Sequence, residues 1–314
     1  MRYAELHCLS NFSFLRGASH PEELVERAAD LGYAALAITD ECSLAGVVRA
    51  HTAAKGSGID FIVGSEITLA DGPRLVLLAA DRAGYGNLCE LITKARRAAA
   101  KGGYRLERRD LDPGLEGCLA LLVPGAELDL HQARWLAERF AQRAWIAVEL
   151  LGGADDGARL AALRAFGVAG GLPLAAAGDV HMHLRGRRAL QDTLTAIRLR
   201  CPLHQAGHAL YPNGERHLRS LQQLARIYPR ALLDESLNVA RRCHFSLDEL
   251  RYEYPRELVP PGHTPASYLR HLTEQGMGER FPRGVAEKVR AQVGHELALI
   301  AELGYEPYFL TVHD

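Results

Sequence analysis

Short apolar runs recur along the first 200 residues, most of them followed by a stretch whose apolar positions return every three or four residues. Runs at 4–9, 34–39, 61–68, 75–80, 119–123, 146–151 and 174–179 predict seven strands. Between the first two, Ser19 and Glu22 form an S-x-x-E capping signal with Pro21 in the first turn, and Leu24, Val25, Ala28 and Leu31 form a helical stripe. Leu44, Val47, Val48 and His51 repeat that spacing, and further helices are predicted over 85–99, 133–140, 158–166 and 189–199. Strands and helices alternate, which predicts a parallel β/α architecture with its site at the carboxyl ends of the strands.

The rhythm changes after Cys201. Helices are expected over 218–227 and 231–243. A Pro-rich extended linker over 252–265 then carries Pro255, Pro260 and Pro261, and two more helices follow over 266–276 and 285–303. The final run, 305–314, is apolar and aromatic with no polar tail, so it reads as an unfinished element, and more protein is expected to follow. A chain of 314 residues, 48% hydrophobic, supports a main domain and an appendage.

Charge and cysteine usage narrow the class only a little. A formal charge of -1 and a pI near 6.9 give no global basic signature, so any contact with nucleic acid has to be local. Cys8, Cys42, Cys89, Cys118, Cys201 and Cys243 are scattered without a C-x-x-C pair and read as reduced thiols. With no apolar leader at Met1–Glu5 and no apolar run of spanning length, the expectation is a soluble, cytoplasmic protein that makes no membrane contact.

The chemistry gathers at strand ends. Gly178-Asp179-Val180-His181-Met182-His183 is a D-x-H-x-H run after an apolar segment, and a strand continuing through it would place Asp179 and His181 on one face. His7, Glu41 and Glu66 fall at three other such ends, and carboxylate with imidazole suits a divalent metal or a phosphate ester held through one. His51 reads as a packed or rim histidine and His183 as a loop histidine in solvent; His204, His208 and His217 have no metal spacing. The basic groups Arg96-Arg97 with Lys101, Arg105 with Arg108 and Arg109, and Arg185 with Arg187 and Arg188 read as solvated faces.

The run Leu6-His7-Cys8-Leu9-Ser10-Asn11-Phe12-Ser13-Phe14-Leu15-Arg16-Gly17-Ala18-Ser19-His20-Pro21 resembles the opening of bacterial error-prone C-family DNA polymerases, which are like the DNA polymerase III alpha subunit. Ile38-Thr39-Asp40, Gly64-Ser65-Glu66, Gly178-Asp179-Val180-His181 and Leu303-Gly304-Tyr305-Glu306-Pro307-Tyr308-Phe309-Leu310 follow in the order of that family. The resemblance implies a distorted (β/α)7 PHP (polymerase and histidinol phosphatase) barrel over 1–200, a helical extension and linker over 201–264, and the start of the polymerase region over 265–314. It also implies that the polymerase aspartates lie beyond residue 314. For the whole protein it implies DNA, deoxynucleotides and magnesium, with a sliding clamp and companion mutagenesis proteins as partners.

Residue by residue, the resemblance is uneven. His7, Glu66, Asp179 and His181 match ligand positions of PHP domains, while Glu41 stands where the family has a histidine after Asp40. Leu9, Arg16, Arg74 and Ala126 stand at positions where ligands are lost. A guanidinium always carries charge and repels a dication in a confined pocket. The expectation is therefore that Arg16 and Arg74 replace metals by pairing with Glu41, Glu66 or Asp179. That would leave a degenerate scaffold without a cofactor, or at most one residual zinc or manganese. The rival expectation is a metal-dependent PHP phosphoesterase or 3'-5' exonuclease.

Overall fold

The computed structural model describes residues 2–112, 114–250 and 259–314. Seven strands form one sheet in sequence order: β1 (Ala4–Glu5), β2 (Ala35–Ile38), β3 (Asp60–Thr68), β4 (Arg74–Ala79), β5 (Cys118–Val123), β6 (Ala144–Val148) and β7 (Leu174–Ala176). The gap between the edges is bridged beyond the strand ends. Leu9 N–H donates to the Val180 carbonyl at 2.8 Å, Val180 N–H donates to that of His7 at 2.9 Å, and Cys8 faces Val180 in parallel register. The result is a nearly closed barrel.

The parallel prediction needs one correction, because β4 is antiparallel to both β3 and β5. The connection from β3 to β4 is the tight turn Leu69-Ala70-Asp71-Gly72-Pro73, closed by a Leu69 N–H bond to the Pro73 carbonyl at 3.1 Å. So short a link cannot carry a crossover, and the chain doubles back. The remaining neighbours are parallel.

Helices α1 (Pro21–Asp30), α2 (Val47–Ser57), α3 (Arg82–Arg97), α4 (Leu130–Arg139), α5 (Asp156–Gly170) and α6 (Arg188–Leu199) follow strands or turns as the apolar spacing predicts. The capping signal before α1 shifts by one residue. His20 is the cap, its N–H donates to Glu23 at 2.9 Å, and Ser19 is left buried for another role. Two apolar layers result. One lies between strands and helices, with Leu36, Ile38, Leu75 and Leu77 against Leu24, Leu88, Leu136 and Leu163. The other, inside the barrel, mixes small residues such as Ala4, Ala35, Ala37, Ala147, Ala175 and Ala177 with larger ones such as Leu6, Leu78, Leu121 and Trp145, so that small and large side chains fill a narrow interior together.

Helices α7 (Leu221–Ile227) and α8 (Arg230–Ala240) belong to the same compact unit, which runs to Glu249. Val239 joins the inner layer, Ser236 Oγ accepts from Ala4 N–H at 3.3 Å, and the buried Arg219 donates to the Leu150 carbonyl at 2.8 Å. The second unit, from Leu250, contains α9 (Pro265–Arg280), α10 (Glu287–Leu303) and α11 (Glu306–His313). The run read as an unfinished element is thus a helix. Pro255 and the first half of the expected linker, 252–258, lie outside the described residues.

Candidate functional site at the barrel mouth

Strand alternation aims the charged groups inward. Glu66 continues the inward parity of Ile62 and Gly64, and Glu149, one residue past β6, continues that of Trp145 and Ala147. Because β4 is reversed, its first residue, Arg74, comes to the mouth. Asp179 does not sit on a strand. β7 ends at Ala176, and Asp179 has φ 43, a left-handed conformation unusual for a non-glycine residue. Its side chain nonetheless reaches His181, with Oδ1 2.9 Å from Nε2.

His7 lies at the centre, fully buried. One ring nitrogen, Nε2, is 2.9 Å from Glu66 Oε2, and the other, Nδ1, is 2.8 Å from Glu149 Oε1. Burial opposes a charge on the ring, but the two carboxylates outweigh it and raise the pKa above the ordinary value. His181 behaves in the opposite way. Burial and the nearby Arg16 lower its pKa to about 3, so the ring is neutral. Gln191 Nε2 stands 3.4 Å from its Nδ1, which makes Nδ1 the acceptor and leaves Nε2–H to donate to Asp179.

Three arginines enter the same space. Arg16 Nη1 donates to Glu66 Oε1 at 2.5 Å and to Glu41 Oε2 at 2.6 Å. Burial would push the Glu66 carboxyl up, but His7 and Arg16 together hold it well below the usual carboxylate range. Arg74 stands further off, 3.8 Å from Glu66 and 34% exposed. The third, Arg216, pairs with Asp179, and its guanidinium lies 4.1 Å over the Tyr211 ring. Burial lowers its pKa to about 10, within the range where it stays charged at neutral pH. Four carboxylates, Glu41, Glu66, Glu149 and Asp179, thus face three guanidiniums and the imidazole of His7.

The loop around Arg16 is fixed from beneath. Asp40 accepts from Ser10 N–H at 2.8 Å, Ser10 Oγ at 2.6 Å and Ser13 Oγ at 2.7 Å, so it staples the loop and faces away from the other carboxylates. Gln191 Nε2 donates to the Arg16 carbonyl at 2.6 Å. Tyr104 donates to Glu41 Oε1 at 3.1 Å, and Arg96 holds the Glu41 and Cys42 carbonyls at 3.2 and 2.9 Å.

Other sequence candidates lie apart. His183 is largely buried, where solvent was expected, because Ser19, displaced from the helix cap, bonds its Nδ1 at 2.8 Å. His51 faces Asp248 and Phe61 on another side of the barrel. Leu9 is core, and Ala126 sits in an exposed turn held by Arg159. The sequence reading missed Glu149 and Arg216. Glu149 was legible as the lone acid within the apolar run 146–151; Arg216 was not, since it lies in an irregular segment after the strand and helix alternation ends.

His7, Glu149 and Asp179 bring one ligand atom each within 4.8 Å of one another, the arrangement of three donors that could hold an ion. Their present partners weigh against it. Both nitrogens of His7 are engaged by carboxylates, and Asp179 is already paired with a guanidinium and the His181 N–H. A ligating imidazole must offer a lone pair, and the three guanidiniums already in this confined site raise the cost of adding a dication.

Residues 267–314 match the model of the bacterial DNA polymerase III alpha NTPase domain. The error-prone DNA polymerase of Dechloromonas aromatica is 61% identical over 317 residues, covering 99% of this chain and 31% of that protein. Those of Methylococcus capsulatus and Pseudomonas aeruginosa are each 63% identical, again over 99% of this chain and 30% of theirs. The chain therefore spans about a third of the length of the curated relatives it matches. Among the described residues no helix is long and apolar enough to cross a membrane. Matched from residue 5 to residue 162 by the PHP domain model, the chain belongs to the PHP domain family.

Proposed function

We propose that this chain is the N-terminal part of an error-prone DNA-directed DNA polymerase and that its PHP barrel is a non-hydrolytic scaffold. Residues 1–200 are read as the PHP domain, 201–264 as its helical extension and linker, and 265–314 as the start of the polymerase region. The whole protein would take DNA and deoxynucleotides, use magnesium at aspartates beyond residue 314, and work with a sliding clamp and companion mutagenesis proteins in the cytoplasm. Identity of 61–63% across the chain supports the polymerase reading.

The scaffold reading rests on one observation: Arg16 is inserted between Glu41 and Glu66, 2.6 and 2.5 Å from their oxygens, where hydrolysis would need dications. Arg74 reinforces it at longer range, and Arg216 does the same for Asp179. With His7 held by two carboxylates, the mouth is balanced by fixed cations and asks for no ion. His7, Glu41, Glu66, Asp179 and His181 are then vestiges of a metal site that now hold the barrel shut. The rival phosphoesterase or 3'-5' exonuclease draws support from the donor trio of His7, Glu149 and Asp179.

The two readings separate in one assay. This chain, purified without chelators and supplied with manganese or zinc, is expected to release neither p-nitrophenol from p-nitrophenyl phosphate nor nucleotides from single-stranded DNA. Metal-dependent hydrolysis that disappears in Asp179→Asn would establish the rival instead.

A further inference from the structure

Helix α6 is amphipathic the wrong way round for a helix that covers a barrel. It buries Gln191 and Thr195, whose side chains bond the Arg16 and Gln191 carbonyls, while Leu190 and Ile197 are 40% and 54% exposed and Leu194 is half-buried between them. Positions 190, 194 and 197 form one stripe along the helix. Isolated exposed leucines are ordinary, but this stripe is continuous with a groove of about 270 Å³ that is also lined by Leu15 and by Phe14, itself 82% exposed. Phe14 sits two residues before Arg16, on the loop stapled by Asp40.

We infer that the stripe Leu190, Leu194 and Ile197 with Phe14 is the docking face for the part of the same polypeptide that lies beyond residue 314. The inference rests on the proposal that this chain is the start of a longer polymerase. Relatives more than 60% identical carry roughly 70% of their length outside the matched region, which is the mass that has to be seated on this part. Arg187 is paired with Glu23, while the exposed Arg198 and Arg200 give one end of the face a basic rim, so the occupant should present an apolar patch edged there with carboxylates. Gln191 links the face to the mouth, because the helix that offers the stripe also holds the Arg16 carbonyl.

Hydrogen exchange read by mass spectrometry tests this on the 314-residue chain and on the full-length polypeptide. Peptides covering 11–16 and 188–199 are expected to exchange more slowly in the full-length protein, by about tenfold or more, because a docked partner suppresses their local opening. The double variant Phe14→Glu with Ile197→Glu should abolish that difference and leave melting of the 314-residue chain within about 1 °C of wild type, because both side chains face water in it. Equal rates in the two proteins would overturn the inference. So would protection in the short chain that grows with its concentration, which would make a second copy the occupant. Primer extension and metal assays test the underlying polymerase and scaffold readings separately, and their failure would leave the exchange result standing.

Discussion

At the scale of single residues, the mouth divides into cations that carry weight and cations that do not. Arg16 is mostly buried and bonds two carboxylates, one of them 1% exposed, so Arg16→Ala leaves Glu66 buried beside a weaker set of partners. Removing one member of such a pair costs roughly 3–5 kcal/mol. Arg74 lies 3.8 Å from the same carboxylate and is a third exposed, so Arg74→Ala is expected to cost about 1 kcal/mol or less. Urea unfolding of the two variants gives the comparison, and equal losses would remove Arg16 from its central place. His181 supplies a pH signature. Its folded pKa, lowered to about 3, lies below the unfolded value near 6.5, so the unfolded chain takes up a proton that the folded one refuses. The stability it contributes is present above about pH 6.5 and is lost as pH falls toward 3. The variant His181→Gln should therefore show a shallower decline than wild type between pH 7 and 4 in urea titrations.

At the scale of elements, the seven strands were legible because each is a short apolar run, and the helices because their buried faces repeat at helical spacing. The reversal of β4 was also written in the chain, as Asp71-Gly72-Pro73 in a link too short for a crossover. The alternation of strands and helices elsewhere masked it. What no local pattern could show is a side chain brought in from far along the sequence: Arg216 meets Asp179 only because the segment after α6 returns over the mouth, where the Arg216 carbonyl accepts the His181 N–H at 2.9 Å. The Arg16 loop depends on close backbone approach in the same way. A Cβ at Gly17 would overlap the Ser10 carbonyl, which is backbone and cannot move aside. The variant Gly17→Ala is expected to displace the loop, to cost at least about 2 kcal/mol, and to lose the Arg16 pairs with it. Thermal melting compared with Arg16→Ala checks this, since the double variant should be far less than additive if both act through one loop.

At the scale of the whole molecule, the question is what closes the barrel. A metal-dependent member of this architecture would draw stability from its ions, since binding to the folded state alone adds RT ln(1 + [L]/Kd), about 2.7 kcal/mol at a hundredfold excess over Kd. On the scaffold reading proposed above, the closing charges are covalent parts of the chain. They come from three places, the loop after β1, the first residue of β4 and the segment after α6, so they tie distant stretches of the first unit together at one point. Stability should then be independent of chelators and responsive to salt only weakly, because buried pairs are poorly screened. We expect the melting temperature of the chain to move by less than about 1 °C when EDTA is added or when zinc or manganese is supplied, against the 2–4 °C per kcal/mol typical of domains of 150–250 residues. A chelator-dependent drop of several degrees would mean that an ion, and not Arg16 and Arg216, neutralises the carboxylates. The barrel would then have kept the means to hydrolyse a phosphate ester.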